Sequence, residues 1–310
     1  MGLDKKNSAE TEPLAIAKPP LKWAGAKTKL VPRLLALIPA GTKRLIEPFA
    51  GSAVLSLNAP VKELLIADVN ADLIHLYETI RDQHDEFVAY AQRRFTSQYN
   101  TRESYDRLRK AFNSRELPRL EHSAHFLYLN RHGFNGLCRY NSSGGFNVPF
   151  GQIKTPHFPT VQLKTARAVF ARAELRCAGF LEIIALAKKG DFLYCDPPYS
   201  PLTQASNFTQ YATASFGPTE HLMLAKACEE AAERGATVAI SNHDTLETRA
   251  LYATADEIQS LAVQRFISCN GESRNKVQEL IAVFHPRGSK RVGSTERHAA
   301  KAEAAATEFV

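Results

Sequence analysis

The chain has 310 residues, of which 44% are hydrophobic, and its 39 Lys and Arg against 32 Asp and Glu give a net charge of +7. This length suffices for a large core, in one domain or in one domain with an insertion, and no run of about 18 apolar residues indicates a membrane span. The five cysteines are too scattered for a disulfide framework or a zinc site, and segment 1–18 lacks the hydrophobic centre of a signal peptide, so we expect a cytoplasmic protein.

The first part of the chain predicts alternating helices and strands. The predicted elements are a loop at 22–27, a helix at 30–38, a strand at 44–47, a turn at 48–53 followed by a helix, a strand at 64–67, and a helix at 70–80. Alternation of this kind is typical of a mostly parallel sheet with helices on both faces.

The turn at 48–53 and the end of the second strand form a possible nucleotide site. Small residues around Gly51 let a ligand approach the backbone, and Asp68 stands where an acidic side chain can accept hydrogen bonds from ribose hydroxyls. Taken singly, the first is also typical of a plain tight turn and the second of a helix N-cap. Together they favour a cofactor that contains adenosine.

Basic residues concentrate in the segment 93–139, which has ten Lys or Arg against four Asp or Glu and is rich in aromatic residues. Concentrated positive charge with interleaved aromatic rings is typical of a surface that binds nucleic acid. A solvated, Arg-rich helical face is the alternative. The segment up to about residue 129 is predicted to be helical.

A loop or hairpin rich in Asn, Gly and Ser follows at 130–151. It presents Arg131 and Arg139, which can pair with guanine, Asn135, which can pair with adenine, and Leu137, which can contact a thymine methyl group. These residue types suit insertion into a DNA groove. The alternative is a structural Ω-loop packed by its own aromatic side chains.

After residue 164 the alternation resumes. Strands are predicted at 175–177, 191–195 and 236–241, and two further strands at 263–268 and 276–284 flank an Asn270-Gly271 hairpin turn. The sequence thus predicts an α/β fold: a mostly parallel, doubly wound sheet with a terminal antiparallel hairpin and a helical and hairpin insertion. Beyond residue 286 the charged, Ala-rich tail is expected to be mobile.

The strand at 191–195 runs directly into Asp196-Pro197-Pro198-Tyr199. The prolines end the strand and place a carboxylate, a carbonyl and an aromatic ring at the carboxyl edge of the sheet, where open α/β sheets bind ligands. A planar amine stacked on Tyr199 can give its hydrogens to Asp196 and to the Pro197 carbonyl. A Pro-rich turn without chemistry is the alternative.

Several motifs in one order resemble those of the Dam-type (D12 class) DNA adenine N6-methyltransferases, over roughly residues 20–286. The motifs lie at 22–27, 47–51, 67–70, 128–151, 196–199 and 240–244. The run Asn135-Gly136-Leu137-Cys138-Arg139-Tyr140-Asn141 is close to diagnostic. The resemblance implies a methyltransferase sheet that binds S-adenosylmethionine and methylates a flipped-out adenine within GATC in double-stranded DNA. Because the sulfonium supplies the leaving group, the reaction is expected to need no metal, and a monomer suits a self-complementary site that is read one strand at a time.

The resemblance also implies roles for individual residues. The catalytic positions are Asp196, Pro197 and Tyr199. The cofactor-binding positions are Trp23, Lys27, Phe49, Gly51, Asp68, Phe180 and Asp196. The DNA-binding positions are Lys22, Phe134, Asn135, Leu137, Arg139 and Pro149. The catalytic domain is expected at 20–80 and 161–286, the target-recognition domain at 81–160, and mobile tails at 1–19 and 287–310.

The chain departs from the family pattern at four positions. Ala26 and Ala53 stand where glycines are common, so the backbone at residue 53 is expected to avoid positive φ or to adjust. Phe134 and Ile153 stand where relatives often have tyrosines that touch DNA, which makes the GATC target less firmly implied than the reaction.

Two further residues have competing interpretations. His243 lines the substrate pocket or, as we favour, has a structural role in a turn. Cys195 precedes the catalytic aspartate and is expected to pack in the sheet rather than to act as a nucleophile. At the level of the whole chain, the alternatives are an enzyme that methylates another planar amine, such as an RNA base or a glutamine, and a DNA-binding module with an inactive site.

Overall fold

The computed structural model describes residues 15–199, 216–264 and 276–287, and within them a seven-stranded sheet with the order β3-β2-β1-β4-β5-β7-β6. The strands are β1 Arg44–Glu47, β2 Glu63–Asp68, β3 Ala173–Cys177, β4 Asp191–Cys195, β5 Thr237–His243, β6 Glu257–Gln264 and β7 Lys276–Phe284. Neighbours among β1 to β5 are parallel, whereas β7 is antiparallel to both β5 and β6. The predicted fold class is confirmed.

The middle residues of the central strands are apolar because both faces of the sheet are covered. All five residues of β4 are buried. In β1 the adjacent residues Leu45 and Ile46 are fully buried in two different hydrophobic clusters, since successive side chains of a strand point to opposite faces. The continuous apolar runs in the sequence therefore mark the centre of the sheet.

Nine α-helices lie within the described residues, and none of them is long and apolar enough to cross a membrane. They are α1 Val31–Ala36, α2 Ala71–Asp82, α3 His84–Gln92, α4 Arg102–Asn113, α5 Arg119–His132, α6 Thr160–Phe170, α7 Phe180–Ala185, α8 Pro218–Glu233 and α9 Leu246–Leu251. Asn70 caps α2 by accepting a hydrogen bond from the Leu73 amide at 3.2 Å. This cap, two residues after the end of β2, fixes the start of α2 at Ala71.

The helix predicted after the turn at 48–53 is wrong. Residues 54–58 form turns instead. The Ser56 amide donates to the Glu47 carboxylate at 2.9 Å, and Ala53 has a positive φ of 54°, which is not helical. One helical bond forms, from the Leu57 amide to the Ala53 carbonyl at 2.9 Å, but the Asn58 amide then donates to the Leu55 carbonyl as in a tight turn, and no further helical turn follows.

The terminal hairpin is longer than predicted. Strand β6 begins at Glu257, before the predicted start at residue 263, and it pairs with β7 from Glu257 opposite Val283 to Gln264 opposite Lys276. The predicted residues 265–268 and the Asn270-Gly271 turn lie outside the described residues.

The aromatic residues of the basic segment mostly build a core. Tyr105, Phe112, Phe126 and Tyr128 are fully buried, in the same hydrophobic cluster as sheet residues such as Phe192. The prediction that these rings share a nucleic-acid surface with the arginines is therefore wrong for them. The core of the segment 81–160 is continuous with the core beside the sheet. The division into two domains at residues 81 and 160 therefore stays a prediction, which concerns function.

Part of the segment assigned to the N-terminal tail is held in place. The Ala17 amide donates to Asn58 Oδ1 at 2.8 Å, and Asn58 Nδ2 donates to the Ala17 carbonyl at 3.1 Å. The two bonds attach the chain before residue 20 to the turns at 54–58.

Candidate active site

Three acidic side chains lie at the carboxyl ends of neighbouring parallel strands. Glu47 ends β1, Asp68 ends β2, and Asp196 directly follows β4. Strand β1 pairs with β2 on one side and with β4 on the other. The three residues therefore stand at one edge of the sheet, which is where ligands bind in open α/β folds.

Asp196 forms an ion pair with Lys27. The Lys27 Nζ atom lies 2.9 Å from Asp196 Oδ1 and 3.1 Å from the Gly25 carbonyl, and the lysine side chain is only 9% exposed. Burial raises the pKa of Asp196, while the Lys27 ammonium lowers it. The lysine therefore opposes the effect of burial and favours the ionised, hydrogen-bond-accepting form of the Asp196 carboxyl group.

The ring of Tyr199 is fixed from three sides. The Lys27 Nζ atom lies 4.6 Å from the ring centroid, and the His243 ring approaches edge-on with centroids 4.7 Å apart. The Tyr199 hydroxyl lies 3.5 Å from Glu279 Oε2. Pro197 is buried, and the contacts of Asp196 and Tyr199 distinguish the tetrapeptide from a simple surface turn.

The structure corrects the prediction for His243 and adds Glu279, which the sequence did not identify. His243 ends strand β5 and contacts Tyr199, so the favoured role in a turn is wrong. Glu279 was not predicted, because only the register of the terminal hairpin, which puts it opposite His243, brings it to the site. Cys195 is fully buried with its Sγ atom 3.7 Å from Cys228 Sγ, and burial raises its pKa, which confirms the packing role.

Asp68 is tied to the turn that follows β1. Its Oδ2 accepts from the Gly51 amide at 3.0 Å, its Oδ1 accepts from the Asn70 amide at 2.9 Å, and burial raises its pKa. The Tyr77 hydroxyl donates to the Gly51 carbonyl. These bonds hold the turn against the end of β2, so Gly51 and Asp68 lie side by side.

Gly51 allows the closest contact at the site. It has a φ of +47°, and a Cβ atom there would stand 2.7 Å from Trp23 Nε1. A side chain at this position would therefore displace the tryptophan ring. Ala53 adopts a φ of 54° despite its Cβ atom, so the expectation that its backbone avoids positive φ is wrong.

Three phenylalanines form a cluster beside this turn. Phe49 and Phe180 are stacked with ring centroids 5.4 Å apart and an interplanar angle of 25°, and Phe216 lies 5.6 Å from Phe49 and 5.4 Å from Phe180. All three rings are partly exposed. Phe216 was not predicted, and a lone phenylalanine before α8 carries no signal that would have identified it.

Glu47 binds Ser56, in the turns that follow Gly51. It is 3% exposed, and it accepts hydrogen bonds from both the amide and the hydroxyl of Ser56. Burial raises the pKa of Glu47 to about 7, although the bonds from Ser56 oppose the rise. The sequence placed Glu47 in a motif without assigning it this role.

The predicted DNA-binding residues of the hairpin lie together on one loop. Phe134 is 46% exposed, Asn135 is exposed with a φ of 53°, and the partly buried Leu137 follows them. The Pro149 carbonyl accepts a hydrogen bond from the Phe134 amide at 2.9 Å, which closes the base of the loop. The loop thus presents a ring and an amide side chain to solvent.

Arg139 stands on a short antiparallel ladder at the base of the hairpin. It is exposed and donates from Nε to Asn147 Oδ1 at 2.8 Å and from Nη2 to the Asn147 carbonyl at 3.2 Å, so three of its five guanidinium N–H groups remain for other partners. Arg131 likewise donates from Nε and Nη2, in its case to the His157 carbonyl, so part of the donor capacity of both arginines is structural. The arginines of the segment 93–139 therefore contribute both to the positive charge of the surface and to hydrogen bonds within the protein.

Lys22 is joined to the hairpin by Asn130. The Asn130 side chain accepts from the Lys22 amide at 2.9 Å and donates to the carbonyls of Lys22 at 2.7 Å and Gly136 at 3.1 Å. A Cβ atom at Gly136 would stand 2.4 Å from Lys22 Cβ. Asn130 was not predicted as a site residue. Its buried amide attaches the segment 22–27 to the predicted DNA-binding loop.

No group of three or more His, Cys, Asp or Glu side chains that could hold a metal ion occurs in the part of the chain that the structure describes. The polar side chains at the site are hydrogen-bond partners of backbone groups, of Lys27 and of Tyr199.

The chain resembles proteins of known name over most of its length. The chain is 43% identical to the DNA adenine methylase of Vibrio cholerae serotype O1 over 267 residues, which are 86% of this chain and 95% of that protein. It is 41% identical to the DNA adenine methylase of Escherichia coli K12 over 266 residues, with the same shares of the two chains. Among solved structures, a putative RNA methyltransferase from Pyrococcus horikoshii is similar with a TM-score of 0.39 and 11% identity, over 87% of each chain.

A family model, described as D12 class N6 adenine-specific DNA methyltransferase, matches residues 23–267. The match includes the ends of β1, β2 and β4, the hairpin at 130–151 and the Asp196 to Tyr199 motif. The chain belongs to this family, and it is a DNA adenine N6-methyltransferase.

Proposed function

We propose that this methyltransferase transfers the methyl group of S-adenosylmethionine to the N6 atom of an adenine that has been flipped out of duplex DNA, within the sequence GATC. The observation that carries the proposal is the arrangement of Asp196, Lys27 and Tyr199 at the same sheet edge as Asp68. A DNA-modifying enzyme acts where bacterial or phage DNA lies, so we place it in the cytoplasm. A monomer suits a site that is read one strand at a time.

The residues at the ends of β1 and β2 suit an adenosine-containing methyl donor. Each oxygen of Asp68 accepts a backbone N–H and keeps a further lone pair. Because the Asp68 carboxylate is partly exposed, it can use these lone pairs to accept hydrogen bonds from ribose hydroxyls. Phe49 and Phe180 offer an apolar wall for a purine, and Trp23 with Gly51 forms the floor. When bound, S-adenosylmethionine supplies a methyl group whose bond to sulfur breaks as the bond to N6 forms.

Asp196, Pro197 and Tyr199 act on the adenine. The amino group of adenine is a weak nucleophile because its lone pair is delocalised into the ring. The Asp196 carboxylate and the Pro197 carbonyl accept the two N6 hydrogens, favour a tetrahedral nitrogen and stabilise the positive charge that develops on it. Tyr199, held by His243 and Glu279, stacks on the flipped base. One N6 proton is released to solvent after the transfer.

DNA contact is assigned to the loop that Asn130 ties to Lys22. Lys22 is exposed, although burial of part of its side chain lowers its pKa and the nearby Arg131 lowers it further. Asn135, Leu137 and Arg139 offer an amide, an apolar side chain and a guanidinium to base edges. Phe134 and Pro149 flank them as apolar contacts. The GATC target follows from the family resemblance and from these residue types.

GATC specificity predicts strong discrimination in a methyl-transfer assay. We expect labelled methyl groups to enter an unmethylated GATC duplex about 5- to 150-fold faster than duplexes with one of the four base pairs changed, since a wrong base pair costs about 1–3 kcal/mol. The measurement is kcat/KM for each duplex at one salt concentration. Equal rates on all duplexes that contain adenine would overturn the GATC assignment and leave the reaction itself standing.

The Asp68→Asn substitution tests the cofactor site. It keeps the size of the side chain and removes the charge that accepts ribose and backbone N–H groups, so we expect about 10- to 100-fold weaker binding of S-adenosylmethionine. Trp23 is the only tryptophan in the sequence and lies against Gly51, so its fluorescence can report the titration. The exposed Asp82→Asn variant is the control. An unchanged Kd in Asp68→Asn would contradict the assignment.

A further inference from the structure

We propose that Asp72 is a positioning residue for DNA recognition, which fixes the hairpin at 139–147 through Tyr140 and Arg115 so that Arg139 faces the DNA. The inference rests on the proposed DNA contact of Arg139 and goes beyond it. It assigns a role to a buried carboxylate outside the catalytic group.

Asp72 lies in the first turn of α2 and is 6% exposed. Its Oδ2 accepts from the Tyr140 hydroxyl at 2.7 Å, and its Oδ1 accepts from Arg115 Nη1 at 2.5 Å and lies 2.9 Å from His122 Nε2. Burial alone would raise the pKa of Asp72, but the hydrogen bonds from His122, Arg115 and Tyr140 lower it to about 2. A single buried carboxylate thus joins three separate parts of the chain.

Tyr140 determines which face of the hairpin points outward. Tyr140 and Phe146 form an antiparallel bridge, and the Asn147 amide donates to the Arg139 carbonyl at 3.0 Å. Adjacent side chains of an extended strand point to opposite sides. When the Tyr140 hydroxyl is bound to Asp72, the side chain of Arg139 lies on the opposite, outer face of the hairpin, where it is exposed and donates to Asn147.

Arg115 makes a second attachment. Besides its bond to Asp72, it donates from Nη2 to the Gly144 carbonyl at 3.1 Å, in the turn of the same hairpin. Asn113, two residues earlier, binds both the amide and the carbonyl of Phe146, at 2.8 and 3.0 Å. The hairpin is therefore held at its strand and at its turn, and a rotation would break both contacts with Asp72.

The position of Asp72 connects this attachment to the sheet. Asp72 is four residues beyond Asp68. Between them, Asn70 places its Nδ2 atom 3.6 Å from the Sγ atom of Cys138, the residue directly before the hairpin at 139–147. The segment 68–72 thus carries the proposed ribose acceptor and also holds the recognition hairpin. Small displacements of positioned groups cost large factors in rate, so this link sets where Arg139 stands relative to the catalytic edge.

The Tyr140→Phe substitution removes only the hydroxyl that binds Asp72. We expect kcat/KM on the preferred duplex to fall about tenfold, and the ratio of preferred to single-base-changed duplexes to fall about three- to tenfold, because Arg139 is no longer held in one orientation. The Kd for S-adenosylmethionine, read from Trp23 fluorescence, is expected to stay within about twofold. Asp72→Asn is expected to change the same ratio, and adding Tyr140→Phe to it is expected to have little further effect.

The matched control is Tyr90→Phe, which deletes a tyrosine hydroxyl bound to the carboxylate of Glu121, between α3 and α5 and away from the hairpin. Its discrimination ratio is expected to equal that of the unchanged protein.

Arg139→Ala separates the two proposals: if it leaves the ratio unchanged, the proposed DNA role of the hairpin fails. If Arg139→Ala lowers the ratio and Tyr140→Phe does not, or if Tyr90→Phe lowers it as much as Tyr140→Phe, the positioning role of Asp72 is overturned.

Discussion

Replacing Asp196 by asparagine is expected to lower kcat for methyl transfer by at least about 10³-fold. Asparagine fills the same space but presents an amide with a partial positive end and no charge. It accepts the N6 hydrogens weakly and leaves the buried Lys27 ammonium without its anionic partner. The measurement is single-turnover transfer of labelled methyl groups to duplex DNA at saturating concentrations of both substrates, which separates chemistry from binding.

Asp85→Asn is the matched control for this experiment, because it makes the same change at an exposed carboxylate on α3. Its rate is expected to equal that of the unchanged protein. Binding of DNA and of S-adenosylmethionine by Asp196→Asn shows that the variant is folded. Transfer by a folded Asp196→Asn variant within tenfold of the normal rate would exclude Asp196 from the chemistry.

Replacing Lys27 by methionine is expected to move the acid limb of the pH–rate profile to higher pH. Burial raises the pKa of Asp196 and Lys27 opposes that rise, so without the cation the pKa of Asp196 increases further. The ionised carboxylate is the active form. Activity is therefore lost at a higher pH as acid is added, and we expect kcat/KM at neutral pH to fall by about tenfold or more. The profile of kcat/KM from about pH 5 to about pH 9 tests this.

Two variants make the result specific to the ion pair. Lys27→Arg keeps the positive charge, so its acid limb is expected to lie closer to that of the unchanged protein. Lys226→Met removes a charge from the exposed face of α8 and is expected to leave the profile unchanged. An acid limb in Lys27→Met at the original pH would mean that Lys27 does not set the ionisation of Asp196.

The sheet and the catalytic motif were predictable because their signals are local. The apolar runs at 44–47 and 191–195 are strands with those bounds, and the strand end fixes Asp196, Pro197 and Tyr199 through covalent neighbours. The pairing of Gly51 with Asp68 was also predictable, since a short connection brings adjacent parallel strands together. The predicted loop at 130–151 was correct apart from its first three residues, which extend α5 to His132.

The contacts that complete the site depend on register and packing between distant segments. Glu279 reaches Tyr199 only because β7 pairs antiparallel with β5, and Asn130 reaches Lys22 across the boundary of the insertion. Aromatic residues in the basic segment have the same composition whether they face DNA or form a core, so composition could not distinguish the two. Turns at 54–58 replaced a predicted helix, and the bond from the Ser56 amide to Glu47, at the end of another element, has no signal in the local sequence.

The amide of Asn130 has a consequence for exchanging recognition segments between relatives. It binds the backbone of Lys22 on both its N–H and its C=O, as a neighbouring strand would, although Lys22 precedes the first helix and Asn130 belongs to the insertion. Gly136 fits against the same lysine side chain. A chimera that takes residues 81–160 from another enzyme and keeps this N-terminal segment will therefore fit only if the donor supplies an asparagine and a glycine at these two places. The transferable unit is discontinuous, and it begins at residue 22.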